Sequence, residues 1–377
     1  MTTKLPSRAD HVGSFLRPKS VIDAREARAA GKIDAAELRA VEDQAIADLV
    51  KWQEGLGLEA ITDGEFRRVF FHTDFLLRLS GVEETGGIKK VFKNDKGVDV
   101  HFAPPKIVIT GKVAHVKPIQ RADYEFLASH VTRTPKVAIP SPTMLHFRAG
   151  RAGIPEDVYP DMQGFYDDVA AAYRAEIADL TDAGCRYVQL DDTNLAYLCD
   201  AGHRQDASNR GMDPDSITHE YARLINASFA DAPADMVKAM HLCRGNFRSS
   251  WAAEGGYEPV ADVMFNECDI DAFFLEYDDA RSGDFTPLRF LPKGKTVVLG
   301  LVSTKLAELE TKDEIKRRID EAAKFAPIEQ LALSPQCGFA STVHGNDITT
   351  EQQAAKIRLV VEVADEVWGR SAAQRAA

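Results

Sequence analysis

Cysteine is scarce in this sequence, with five in 377 residues, an odd number at irregular spacing. That argues against a disulfide framework and leaves reduced thiols or metal ligation. An excess of basic residues is also missing, since 46 Lys and Arg face 58 Asp and Glu for a formal charge of −12. Such a balance opposes general binding to nucleic acid or an anionic membrane. No run of about 18 apolar residues occurs, so no membrane-spanning helix is expected. The start, Met1-Thr2-Thr3-Lys4-Leu5-Pro6, lacks the apolar core of a signal peptide, and the expected location is the cytoplasm. Linkers, repeats and low-complexity tracts are absent too. With 45% hydrophobic and 28% charged residues, the whole chain 1–377 reads as one folded domain.

What is present is an alternation of short apolar runs and helical patterns. A first strand ends near Asp10-His11-Val12-Gly13-Ser14, and Glu59–Glu65 is a second. The others are Lys136–Ile139, Arg186–Leu190, Met236–Cys243, Asp271–Tyr277, Thr296–Val302 and Gln330–Pro335. Helical spacing covers Asp34–Glu54, about Met162–Ala183, Ser216–Phe229, Lys312–Phe325 and Thr350–Trp368. Residues 86–118 break the rhythm. There Val91-Phe92 and Val98–Phe102 flank a polar turn over Lys93–Gly97, which predicts an antiparallel hairpin excursion after the second strand. Eight strands with helices between them are the count of a (β/α)₈ TIM barrel, with an open doubly wound sheet as the alternative. The barrel is favoured because polar residues follow nearly every run: Ser14, Glu65, Ser141, Asp191, His241 with Cys243, Glu276, Ser303 and Cys337. In a barrel these share one mouth.

His241 and Cys243 lie two apart on an apolar run, so on a strand they project from the same face. A nitrogen and a sulfur make half a zinc site. Glu276 closes the apolar Phe273–Tyr277 run, and Cys337 precedes Gly338 just past the last strand. One nitrogen, two sulfurs and one oxygen suit zinc better than magnesium or calcium. Cys185, Cys199 and Cys268 have no such setting and read as structural thiols. Singly, each of the four has an ordinary reading, a core histidine, a buried thiol or a salt-bridged glutamate; their grouping carries the metal reading.

The chain resembles the C-terminal catalytic barrel of cobalamin-independent methionine synthases. The resemblance rests on Val12-Gly13-Ser14-Phe15, Asp63-Gly64-Glu65, Val188–Asp192, His241-Leu242-Cys243, Glu276 and Cys337-Gly338. It implies Zn²⁺ on His241, Cys243, Glu276 and Cys337. It also implies homocysteine held by the Gly13-Ser14 backbone, with its amino group on Glu65 and Asp191. Zinc would hold the substrate sulfur as a thiolate and aim it at the methyl donor. Two departures put the donor in question. A chain of 377 residues has no room for the additional N-terminal barrel of the long methionine synthases. His146-Phe147 also stand where the family has Asn-Trp beside the folate. Methylfolate, a methylated corrinoid protein or another methylated compound all remain as donors.

Alkyl transfer to another thiol, such as the epoxyalkane to coenzyme M reaction, is the alternative reading, and a silent zinc barrel is the third. A sulfonate thiol would seek cations rather than two carboxylates. Arg17, Arg67, Arg68 and Arg244 follow strand ends and are candidates to hold an anion, against solvated charge as the plainer reading. His11 is either a mouth-lining proton carrier or a core histidine. Trp52, Trp251 and Trp368 read as packing residues in helices.

Overall fold

Six of the apolar runs pair side by side in parallel, in the order in which they occur along the chain. The computed structural model describes residues 3–87, 90–94, 99–102 and 105–369. Its strands are β1 (Ala60–Ile61), β2 (Ser80–Gly87), β3 (Lys90–Lys93), β4 (Asp99–Phe102), β5 (Pro105–Ala114), β6 (Thr134–Pro135), β7 (Val137–Pro140), β8 (Tyr187–Asp192), β9 (Val237–Leu242), β10 (Ala272–Glu276), β11 (Thr296–Val302) and β12 (Leu331–Pro335). Strands β7 to β12 form one parallel sheet in sequential order. β6 leads across Lys136 into β7 and pairs in parallel with β1. At the far edge Ala9 bridges in parallel to Leu333 of β12. Closure comes from Phe15, whose amide donates to the Gly64 carbonyl (3.1 Å), and from the His11 ring Nε2 against the Ala60 carbonyl (3.0 Å). The fold is an α/β barrel of TIM type.

The period of two along each strand decides what faces the axis. Ala60, Tyr187, Ala239, Ala272, Phe274, Val298 and Ala332 form one buried interior cluster. The alternate residues join the larger apolar layer beneath the helices. Following the interior parity toward the strand ends leads from Tyr187 through Gln189 to Asp191, from Ala239 to His241, and from Phe274 to Glu276. Small alanines below therefore put the polar ends at one mouth. The helices are started by explicit caps: Asp34 with Glu37 before Ala35–Gly55, Thr311 with Glu314 before Lys312–Ala322, and Thr349 with Gln352 before Thr350–Trp368.

After β1 the chain leaves the barrel. β2 pairs antiparallel with β5 and β3 with β4. The expected turn at Asp95-Lys96-Gly97 lies outside the described residues. Lys93 exchanges two backbone hydrogen bonds of 2.8 Å with Trp251, and Phe92 packs on Phe247 at 6.1 Å. The excursion thus folds over the mouth. Trp251 is accordingly not in a helix, contrary to its sequence pattern; it forms an isolated bridge, with Arg281 4.9 Å over its ring.

At Gly300 on β11 an added Cβ would stand 2.7 Å from the Gln336 Cα and 2.8 Å from the Leu275 carbonyl oxygen. Both are backbone atoms with little freedom to retreat. Gly300→Ala is expected to lower stability by about 1–3 kcal/mol, the usual range for overpacking, in urea unfolding. A midpoint equal to the parent's would mean that the sheet yields at this crossing.

Candidate metal centre

His241 is the next-to-last residue of β9, Cys243 directly follows the strand, Glu276 ends β10, and Cys337 sits just past β12. All four are buried, and one ligating atom from each lies within 4.8 Å of the others. The two sulfurs are 3.5 Å apart. The His241 Nδ1 faces the Phe274 carbonyl at 3.2 Å, whereas its buried Nε2 has no hydrogen-bond partner. That is the arrangement of a metal-ligating imidazole, one nitrogen fixed by a carbonyl and the other presenting its lone pair. Glu276 Oε1 accepts the Arg244 backbone N–H at 2.8 Å, and Oε2 lies 3.4 Å from Arg281. The thiol–thiol contact pushes Cys243 far above the ordinary thiol range and holds Cys337 far below it, so the pair shares a proton. Burial works against charge on His241, yet the Cys337, Asp191 and Glu276 negative charges leave it above its usual range. A divalent cation would replace those protons, and the donor set fits one.

The loop carrying Cys337 is tied to the start of the chain. Phe339 donates to the Ser14 carbonyl (2.9 Å), and Asn246 Nδ2 donates to the Gly338 carbonyl (2.7 Å). A Cβ on Gly338 would fall 2.0 Å from Ser14 Oγ and 3.2 Å from Ser14 Cβ, so a larger residue here would have to turn the Ser14 hydroxyl away. The structure thereby brings Gly13 and Ser14 beside the cluster. Glu65 lies next to them, since a Cβ on Gly13 would be 3.5 Å from Glu65 Oε1.

Glu65 has a left-handed backbone, φ 59°, which costs a non-glycine residue about 1 kcal/mol or more and is kept where a side chain must be aimed. Its buried Oε2 has no hydrogen-bond partner, and the nearest cation, Arg68, stands 3.9 Å away. Burial and the neighbouring Asp191 push the Glu65 carboxyl up to about 8. Asp191 is paired in register with His241 and accepts from Gln189 Nε2 at 2.7 Å. Burial raises it to about 6. Two buried carboxyl groups, one with an unpartnered oxygen, make a site for a cation.

Several other sequence candidates are spent internally. Arg17 donates to the carbonyls of Ala340, Thr342, Glu65 and Arg68. Arg67 pairs with Asp43, Asp63 and Asp123, and Arg68 donates to the Ala138 carbonyl and Gln120. Arg244 differs: it is fully buried over the Tyr257 ring at 4.4 Å, but its guanidinium nitrogens have no hydrogen-bond partner. His11 is a core histidine, held near 4 by burial and by Lys136. Cys185 and Cys268 are pushed up to about 12 by burial, and Cys199 to about 11. His146 and Phe147 are packed away as well: His146 Nδ1 meets the Tyr221 hydroxyl at 2.9 Å, and Phe147 lies between Tyr197 and Tyr221.

Sequence reasoning missed the residues on the Cys243 side. Here a cavity of about 40 Å³ is lined by Cys243, Asn246, His72, Arg148 and the rings of Phe92 and Tyr197 among others. Apart from Cys243 itself, none of them belongs to the motifs that carry the metal ligands. A larger cleft of about 630 Å³ runs beside Trp52 and Gln353, but no histidine or cysteine lines it.

The arrangement matches a known group of proteins. Residues 8–366 match the cobalamin-independent synthase catalytic domain. The chain belongs to that family. It is 45% identical over 372 residues to the uncharacterized protein YxjH of Bacillus subtilis (strain 168), covering 97% of this chain and 96% of that one. A methionine synthase of Pyrococcus abyssi is 25% identical, with 87% and 84% covered. The crystal structure of a vitamin-B12 independent methionine synthase assigned in Listeria monocytogenes superposes with a TM-score of 0.76 at 38% identity, over 97% of this chain and 99% of that one. The family is one of methionine synthase-like methyltransferases, and the barrel, with a four-residue cluster that could hold a metal ion, is in keeping with it. Among the described residues, no helix is long and apolar enough to cross a membrane.

Proposed function

We propose that this protein is a zinc-dependent methyltransferase that converts homocysteine to methionine. The observation that carries the reading is the convergence of a His241 ring nitrogen, the Cys243 and Cys337 sulfurs and a Glu276 oxygen within 4.8 Å of one another. Zinc held by these four residues would supply a thiolate at neutral pH. The residues of the chain do the rest. Glu65 and Asp191 take the substrate ammonium, the Gly13-Ser14 backbone takes its carboxylate, and the Arg244 amide and Arg281 keep Glu276 aimed while the thiol enters. Burial of the whole group excludes water, so the thiolate is neither solvated nor protonated from bulk. The carboxylate pair favours an amino-acid thiol over a sulfonate thiol, which it would repel.

X-ray absorption at the zinc edge tests this directly. Adding homocysteine is expected to raise the sulfur count of the zinc shell, by displacing or joining Glu276. A spectrum unchanged at saturating homocysteine would make the metal structural or the thiol wrong.

A further inference from the structure

The two oxygens of Glu276 are held by unlike donors. Oε1 accepts the fixed backbone N–H of Arg244, whereas Oε2 faces the side chain of Arg281 at 3.4 Å. Arg281 stands on a short 3-10 helix, Ala280–Ser282, just after β10, with only 7% of its side chain exposed. Its NH2 also donates to Asp278 at 2.8 Å, and its NH1 pairs with Asp279. The edge of the guanidinium is thus turned to three carboxylates, of which the candidate metal ligand is held more loosely than Asp278. Its flat face lies over the Trp251 ring, 4.9 Å from the centroid. Arginine suits this double contact because it is planar, always charged, and able to stack and donate at once.

Trp251 is in turn the point at which the excursion is fastened to the barrel. Its backbone exchanges two hydrogen bonds of 2.8 Å with Lys93. The chain reaches it from Cys243 through the turn Phe247–Ser250, in which Arg248 and Ser249 both have left-handed backbones, φ 46° and 59°. Non-glycine residues keep that conformation only where their surroundings enforce it. Here Asn346 Oδ1 accepts the Ser249 amide at 3.1 Å, and the Asp347 amide donates to Ser249 Oγ at 3.0 Å. The turn is a fixed arm, so the ring at its end answers to its own contacts, Arg281 and the exposed Glu254, which accepts the indole N–H at 3.3 Å. Trp251 and Arg281 both line a cleft of about 420 Å³, which leaves them room to shift.

One line of contacts therefore joins a candidate metal ligand to the cover of the mouth: Glu276, Arg281, Trp251, Lys93. Resting on the proposed entry of the homocysteine sulfur at the cluster, we infer that Arg281 is a positioning residue that couples Glu276 to this cover. As the acceptor sulfur takes its place, the loosened Glu276 carboxylate needs a cation. Among the described residues Arg281 is the one cationic side chain that forms an ion pair with it. The guanidinium closes the 3.4 Å gap, the indole follows the face it packs on, and the bridge to Lys93 is drawn down over the mouth. No covalent bond of the protein changes. The use of the movement is to shut out water while the sulfur is a thiolate. An Arg281 that merely anchored Asp278 and Asp279 would give no response to the thiol.

The test uses the zinc-loaded full chain, with acrylamide as a neutral quencher of tryptophan emission. The share of emission that disappears in Trp251→Phe reports Trp251 apart from Trp52 and Trp368. Saturating homocysteine is expected to lower the quenching constant of that share by roughly twofold or more, as closure shields the ring from solvent. In Arg281→Gln the response should vanish, and homocysteine should bind about tenfold more weakly for the loss of one charge-assisted contact. Arg281→Lys, which keeps the charge, should restore part of both. X-ray absorption reads thiol entry independently in each protein. Thiol entry with the quenching of Trp251 unchanged in the parent would overturn the inference, whether or not the variants fold. So would a full response in Arg281→Gln, since the cover would then move by another route. Absence of thiol entry would sink the homocysteine reading, and this inference with it.

Discussion

Exchanging either Cys243 or Cys337 for serine is expected to strip the barrel of most of its metal. The purified parent should carry about one zinc per chain, because four side chains complete one tetrahedral ion. Serine keeps the size of the side chain but offers a hydroxyl that does not ionise near neutral pH, so a thiolate ligand is lost outright. The loss should exceed the roughly 10- to 100-fold that changes beyond the ligands themselves cost in metal affinity. The variants also leave the partner sulfur, 3.5 Å away in the parent, without the neighbour that shares its proton. Elemental analysis after dialysis against a weak chelator measures this, with circular dichroism to show that the barrel is still folded. A full zinc equivalent in both serine variants would dismantle the four-residue site.

Why these residues could be found in the sequence follows from strand geometry. His241 and Cys243 are two apart on an apolar run, and a strand puts such residues on one face whatever the rest of the chain does. Glu276 was visible for a similar reason, as the acid that closes Phe273-Phe274-Leu275. The barrel followed from the apolar runs because each is buried on both faces, from the alanine-lined interior to the helical layer. Trp251 misled because the pattern around it is helical, while its partner Lys93 is far off in sequence. The excursion that brings Lys93 over the mouth is held by contacts that no local pattern encodes. Arg17 and Arg67 carried the same local signal as an anion site, and only the fold shows that carbonyls and aspartates already claim them.

The second large effect concerns the carboxylate pair. Glu65→Gln and Asp191→Asn are expected to keep the zinc, since neither residue ligates it, while each loses affinity for homocysteine. One charge-assisted contact is worth about 1.5–3 kcal/mol, or roughly one to two orders of magnitude in Kd. The comparison thiol is 4-mercaptobutyrate, which has the sulfur and the carboxylate but no amine. Against it both variants should bind as well as the parent or better, because a buried carboxylate with no ammonium partner is only a desolvation cost. The pH dependence has a definite sign. Burial and Asp191 push the Glu65 carboxyl up to about 8, so below that pH it carries a proton that an incoming ammonium must displace. The preference for homocysteine over 4-mercaptobutyrate should therefore grow as pH rises toward about 8 in the parent, and should stay flatter in Glu65→Gln. Taking the ratio of the two thiols removes the ionisation of the thiol itself, which is common to both. Equal weakening toward both thiols would mean that Glu65 and Asp191 shape the mouth rather than hold an amine, and the case for an amino-acid acceptor would fall with it.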